Sequence, residues 1–96
     1  MEIKSHCVIE LLVNNHAGVM SHITGLFARR AFNLEGILCG GIGDGSKSTM
    51  FLLVNDDELI EQIVKQLKKL HDVMEVKVHH DYDCSVFYNL DELFIK

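Results

Sequence analysis

The residues best suited to binding a small charged ligand lie in the segment NNHAG, from Asn14 to Gly18. A stretch with helical periodicity follows Gly18, and the first turn of a helix offers unpaired N–H groups and a positive dipole end to an anion. Glycine leaves the backbone accessible there, and the amides of Asn15 and Asn33 can both donate and accept hydrogen bonds. A free amino acid needs this mixture, with donors for its carboxylate and acceptors for its ammonium group. A plain turn with a helix cap is the alternative that these residue types leave open.

The segment GGIGDGSKS, residues 40–48, has the glycine content of a phosphate-binding loop. The Walker pattern requires a lysine directly after its last glycine and a helix behind that lysine. Here Ser46 follows Gly45, Lys47 comes one place late, and a strand is predicted next. The segment is therefore predicted to be a hairpin loop. No GxSxG motif surrounds a serine either, so the sequence does not indicate a nucleophilic triad.

The densest group of potential metal ligands is HHDYDC, residues 79–84. Neighbouring residues on a strand point to opposite faces, so the two histidines are poorly placed to share one ion. A structural or surface role is predicted for them, and no metal site. The cysteines Cys7, Cys39 and Cys84 are widely spaced and form no CxxC motif, which indicates neither a zinc ribbon nor a disulfide framework. Cys7 and Cys39 lie in apolar runs and are predicted to be small buried side chains.

Length and composition restrict the class of protein further. Ninety-six residues, 48% of them apolar and 24% charged, are expected to form one small globular domain. The net charge of −5 argues against a nucleic-acid partner, which requires a basic face. The lysines at positions 65, 68 and 69 close a predicted helix and are interpreted as a solvated face. The apolar runs are too short to span a bilayer, and a cytoplasmic protein without membrane contact is predicted.

The apolar periodicity predicts two helices, each preceded by a strand, in the order βαββαβ. Apolar stripes at three-and-four spacing run from Val19 to Ala31 and from Leu59 to Leu70. Asn55 and Glu58 have capping-box spacing at the start of the second helix. That order predicts an α+β, ferredoxin-like fold, with a four-stranded antiparallel sheet of order 4-1-3-2 and two helices on one face. The predicted strands cover residues 7–13, 34–41, 48–54 and 73–79.

Two other functions are associated with this arrangement, namely those of acylphosphatases and of RNA-recognition motifs. Acylphosphatases hold phosphate with an arginine in the loop after the first strand, and NNHAG contains none. RNA-recognition motifs stack bases on aromatic side chains of the central strands. The first predicted strand has no aromatic residue, and the third has only Phe51. Neither function is favoured.

A longer motif runs through the opening segment and the helix behind it. It reads NHAGVM over residues 15–20 and GLFARRAFNLE over residues 25–35. This motif resembles the N-terminal signature of the small, regulatory subunits of acetohydroxyacid synthase (acetolactate synthase), with N-x-x-G-[VA]-[LM] and G-L-F-x-R-R-x-[FY]-N-[IVL]-E segments. The resemblance extends more loosely to residue 79, and the short chain most resembles the isozyme I type. It implies an ACT domain over residues 7–79, which is a βαββαβ fold.

The resemblance implies a non-catalytic chain that activates a large subunit and makes it sensitive to feedback inhibition by valine or another branched-chain amino acid. Thiamine diphosphate, FAD and magnesium are expected on that acetohydroxyacid synthase large subunit, with no cofactor in this chain. ACT domains pair through edge strands into dimers, and effectors lie between the first loop of one chain and the second strand of the other. By this resemblance the effector-site residues are Asn15, His16, Ala17, Gly18, Val19, Met20, Asn33, Ile37 and Leu38.

Three questions stay open at this level. Arg29 and Arg30 either contact the large subunit or are solvated helix charges. Residues 80–96 match nothing in the family pattern and are expected to add a short strand or a turn, or to dock on a partner. The alternative function is a free-standing ACT sensor that regulates another enzyme or a transcriptional circuit.

Overall fold

The computed structural model describes residues 6–80 and 84–92. Strand β1 is followed by helix α1, the hairpin of β2 and β3, helix α2 and strand β4, as predicted. A short helix α3 and a single 3₁₀ turn come after them. The bounds are β1 His6–Asn14, α1 Val19–Arg29, β2 Gly36–Ile42, β3 Lys47–Asn55, α2 Ile60–Lys69, β4 Val73–His79, α3 Ser85–Tyr88 and the 3₁₀ turn Leu90–Glu92.

The four strands form one antiparallel sheet with β1 and β3 in the centre. The order is β2-β3-β1-β4, so the predicted fold class is confirmed. In the described residues β2 pairs only with β3, and β4 pairs only with β1, so each lies at an edge. The pairing of β1 with β4 is irregular at Leu12 and Val13, where the register shifts by one residue.

The main core lies between one face of the sheet and the two long helices. Alternate residues of β1, from Cys7 to Val13, point to this face and are fully buried. Their partners in β3 and the apolar stripes of α1 and α2 complete the same cluster, which includes Phe27 and Leu67. Because strand residues alternate between faces, this one-sided pattern places both helices on one side of the sheet.

A second, smaller cluster covers part of the outer face of the sheet, which is the face opposite the two long helices. Phe87 of α3 packs there against Val8 and Leu53, with Cys84 and Phe51 at the margin. The extra strand considered for residues 80–96 is therefore not formed by residues 84–92, which are helical. The physical reason is that a helical turn lets Phe87 bury its ring on the sheet.

Both long helices and Cys39 differ from the sequence-based expectation. Helix α1 ends at Arg29 because Ala31 adopts a left-handed conformation with φ 53°. Helix α2 begins at Ile60, and the predicted capping box is absent, since Asp57 Oδ1 instead accepts a hydrogen bond from the Leu59 N–H. Cys39 is exposed and not buried, because the helices leave the second half of the edge strand β2 uncovered.

No helix within residues 6–80 and 84–92 has both the length and the apolar character needed to cross a membrane.

The contact between α3 and the sheet depends on Gly36. A β-carbon at this position would lie 2.7 Å from Cδ1 of Phe87, far inside van der Waals contact. We expect Gly36→Ala to displace Phe87 and to lower the free energy of unfolding by about 1–3 kcal/mol, as overpacking does. The matched control is Gly40→Ala on the same strand and the same face, where a β-carbon would meet nothing within 4 Å. Equal stability of the two variants in urea denaturation would show that the contact contributes nothing.

Candidate effector-binding site

The start of helix α1 leaves backbone N–H groups open to solvent. Gly18 occupies the N-cap with φ 91°, and neither a capping side chain nor an acidic residue in the first turn neutralises the helix end. The Val19 N–H reaches the His16 carbonyl at 3.3 Å, whereas the N–H groups of Met20 and Ser21 have no acceptor within the described residues. A β-carbon on Gly18 would meet nothing within 4 Å, so the approach is clear. This geometry can hold a carboxylate by two backbone donors.

Asn15 has a different role from the free amide that its residue type predicts. Its side-chain Nδ2 donates to the Gly45 carbonyl at 2.8 Å, and its backbone N–H donates to the Ser46 carbonyl at 3.0 Å. Both acceptors belong to the β2–β3 hairpin loop. Asn15 therefore fixes the position of the first loop relative to the end of β2, and its side-chain NH2 group already makes one hydrogen bond.

His16 connects the same loop to the turn before β4. Its Nδ1 donates to the Ala17 carbonyl at 2.6 Å, and its Nε2 donates to Asp72 Oδ2 at 2.7 Å. An imidazole that donates from both nitrogens is the charged form. The Ala17 carbonyl, followed by the Asp72 carboxylate, accordingly raises the pKa of His16 above its ordinary value. Desolvation opposes ionisation of Asp72, but hydrogen bonds from His16 and Asn14 and the charge of His16 outweigh it and lower the pKa of Asp72.

The remaining predicted effector residues lie away from this loop within one chain. Asn33 follows α1, whose eleven residues separate it from Gly18 by about 16 Å of helix. Its side-chain amide donates to the Glu35 carboxylate. Ile37 packs towards the helix-side core, whereas Leu38 packs towards the outer-face cluster. A ligand on the helix side of β2 would therefore contact Ile37, and one chain does not bring all nine predicted residues together.

An exposed basic surface lies at the C-terminal end of α1 and includes Arg29 and Arg30. Arg30 shares a groove with Gln62, Lys65 and Lys69 of α2, and Arg29 lines the adjoining groove. Within the described residues no carboxylate lies within ion-pair distance of these cations. A concentration of unpaired positive charge in a chain of net charge −5 is suited to an acidic partner surface.

Comparison with known proteins defines the class of this chain. A family model described as the AHAS small subunit-like ACT domain matches residues 9–75. The chain is 59% identical over 87 residues to the acetolactate synthase isozyme 1 small subunit of Escherichia coli K12, which covers 91% of this chain and 90% of that one. It is 41% identical over 69 residues to the probable acetolactate synthase small subunit of Archaeoglobus fulgidus, covering 71% of this chain but only 43% of that longer protein.

Solved structures agree with this class. The acetolactate synthase small subunit of Thermotoga maritima has a TM-score of 0.69 and 38% identity, over 76% of this chain and 46% of that one. The regulatory subunit of aspartate kinase from Thermus thermophilus has a TM-score of 0.70 at 18% identity, over 82% of this chain and 53% of that one, which shows a shared fold alone. The fold is thus an ACT domain. The chain belongs to the family of acetolactate synthase small subunits, which indicates a regulatory and non-catalytic role.

Sequence reasoning missed the partners of the first loop. Asp72 lies 56 positions from His16, and no local pattern connects them. The contact arises because β4 pairs with β1 and so brings the turn before β4 beside the loop after β1. The only signal in the sequence was the presence of a histidine in the loop and an aspartate before a predicted edge strand.

The pair formed by His16 and Asp72 predicts a pH dependence of stability. The raised pKa of His16 stabilises the fold fully below pH 6.5, and this contribution is lost as the pH rises through the raised value. The lowered pKa of Asp72 stabilises the fold above pH 3.8, and that contribution is lost as the pH falls through the lowered value. We therefore expect the pair to contribute most between about pH 4 and 6.5.

The measurement is urea denaturation of the native chain and of His16→Gln across this range. The variant should lose stability between pH 4 and 6.5 and approach the native chain at higher pH. His22→Gln is the control, because His22 Nδ1 lies 3.9 Å from the same carboxylate oxygen. A profile of His16→Gln that runs parallel to the native profile would contradict the assignment.

Proposed function

We propose that this chain is the regulatory subunit that binds and activates the acetolactate synthase large subunit and makes it sensitive to inhibition by valine. The observation that carries this proposal is the 59% identity to an isozyme 1 small subunit across nine tenths of both chains. The uncapped start of α1 behind Gly18 supplies the matching chemistry, because it offers backbone donors to an amino-acid carboxylate. The thiamine diphosphate, FAD and magnesium of the reaction belong to the large subunit.

A dimer formed through the β2 edges would complete the effector site. Asn15 holds the first loop against the hairpin that follows β2, so this loop lies near the end of β2. Two β2 strands paired antiparallel about a two-fold axis would place the beginning of one beside the end of the other. Asn33 and Ile37 of the partner copy would then approach the first loop of this copy. This is the arrangement that brings together residues that one chain keeps apart.

In such a site each part of valine has a partner. The carboxylate would accept hydrogen bonds from the N–H groups of Met20 and Ser21 at the positive end of α1. The Asn33 amide oxygen of the second copy would accept from the ammonium group, since its Nδ2 is engaged with Glu35. The branched side chain would contact Ile37, the one of the two β2 residues that points to the helix side.

Inhibition follows if valine binds one state of the complex better than another. The shift in activity is then set by the difference between the two affinities, typically about 1–3 kcal/mol. The first loop is suited to transmit it, because Asn15 connects it to the β2–β3 hairpin and His16 connects it to the turn before β4. A ligand that moves this loop acts on both edges of the sheet.

Substitution of Gly18 tests the effector site. In Gly18→Asp the new carboxylate would occupy the anion position and repel the ligand, so we expect valine affinity to fall by at least about tenfold, because like charges brought together at a binding site cost several kcal/mol. Calorimetry on the isolated chain and inhibition of the reconstituted enzyme measure the effect. The control is Gly43→Asp, which also has a positive φ of 59° and open space around it, but lies on the hairpin loop. Full valine sensitivity of Gly18→Asp would show that the site is elsewhere.

Charge reversal tests the surface for the large subunit. Arg29→Glu combined with Arg30→Glu should weaken activation of the large subunit, and the loss should grow as the ionic strength falls, because like charges repel more strongly at low salt. Titration of the large subunit with each variant gives the concentration for half-activation. The control reverses Lys47 and Lys77 on the outer face of the sheet. If the concentration for half-activation is unchanged in the arginine variant, both arginines are solvated helix charges and do not contact the large subunit.

A further inference from the structure

A mixed set of metal-ligand side chains meets where three strands come together, at the end of the sheet opposite the effector loop. Cys7 is the second residue of β1, Asp56 directly follows β3, and His80 directly follows β4. Both β3 and β4 run antiparallel to β1, so their ends lie beside its beginning. The ligand atoms of the three side chains all lie within 4.8 Å of one another.

The distance between the His80 and Asp56 ligand atoms is close to that around a tetrahedral ion, and Cys7 Sγ lies within 4.8 Å of both. Zinc bonds of about 2.0–2.3 Å place neighbouring ligand atoms roughly 3.3–3.6 Å apart. His80 Nδ1 lies 3.7 Å from Asp56 Oδ2, so a small side-chain rotation would bring both into coordination. One sulfur, one nitrogen and one oxygen ligand suit zinc-like ions, whereas calcium and magnesium require oxygen ligands.

The charge of the surrounding groove also favours an ion at this point. Cys7 is fully buried beneath Asp56 and His80, which are both exposed, so an ion from solvent would meet these two first. Asp57, Glu58 and Glu61 line the groove with them, and Lys65 and Lys68 offset this negative charge only in part. Burial, and then the charge of Asp56, raise the pKa of the Cys7 thiol to about 11, so a bound ion must displace the thiol proton. A dication would bond to the resulting thiolate and neutralise the carboxylate.

His79 does not compete for this site. Its Nε2 lies 2.7 Å from Glu10 Oε1, and both residues belong to the outer face of the sheet. Strand β4 ends at His79, and His80 lies beyond it, beside Asp56. The sequence could not show that His80 would meet Cys7 and Asp56, which are 73 and 24 positions away.

We propose that Cys7, Asp56 and His80 bind one divalent transition-metal ion of the zinc or cobalt class, with water in the fourth position. On binding, the sulfur–hydrogen bond of Cys7 breaks, its proton passes to solvent, and a metal–sulfur bond forms. One proton is released and no electron is transferred. The site does not depend on the regulatory proposal, since it uses other residues at the other end of the sheet.

The test is titration of the reduced, metal-free chain with Co²⁺, followed by absorption spectroscopy. We expect one Co²⁺ per chain and a thiolate-to-cobalt charge-transfer band, displaced by Zn²⁺. Cys7→Ser should abolish the band. His80→Ala and Asp56→Asn should weaken binding by at least about tenfold, the effect of losing even an outer partner of a metal ligand. Cys39→Ser, which removes an exposed thiol elsewhere, should bind as the native chain does.

Several results would overturn the proposal. The absence of stoichiometric binding would do so, as would cobalt binding without the charge-transfer band. A band that survives Cys7→Ser, or that disappears in Cys39→Ser, would assign the thiolate to another cysteine. If Cys7→Ser does not fold, as judged by circular dichroism, His80→Ala decides the matter, because His80 is exposed and its removal leaves the core intact. Native affinity in that variant would exclude the site.

Discussion

The structure depends on the central position of β1, which pairs with β3 on one side and with β4 on the other. This pairing buries alternate residues of β1 completely and determines which chain segments meet at each end of the strand. The loop after β1 contacts the β2–β3 hairpin and the turn before β4. The residues at the beginning of β1 lie beside the ends of β3 and β4. Both candidate ligand sites are therefore consequences of one pair of antiparallel ladders.

The two faces of the sheet are covered by different elements. The helix side carries the main core, with the stripes of α1 and α2 packed on the central strands. The outer face is covered in part by α3, where Phe87 packs against Val8 and Leu53. The ring fits there because Gly36 has no side chain. The exposed second half of β2 is left as an edge, and exposed backbone at a sheet edge favours strand pairing with another chain. A second copy on this edge would join the separated effector residues.

The first loop combines an open binding position with a fixed backbone. Gly18 supplies the left-handed conformation that turns the chain into α1, and the helix end stays uncapped. Asn15 and His16, which are predicted effector-site residues, form hydrogen bonds with Gly45, Ala17 and Asp72. These contacts fix the loop that leads to the open N–H groups. Such preorganisation reduces the entropy lost on binding.

The sequence by itself determined the βαββαβ order, the strand order and the family, because apolar periodicity and the GLFARRAFN motif are local signals. It also located Gly18 at a helix start. Only the tertiary structure decided that Asn15 is engaged by the hairpin, and that residues 84–92 pack as a helix on the outer face. The tertiary structure also brings the side chains of Cys7, Asp56 and His80 close together. These contacts join residues far apart in the chain, and they arise from the pairing and packing of whole elements, which a local pattern of residue types does not specify.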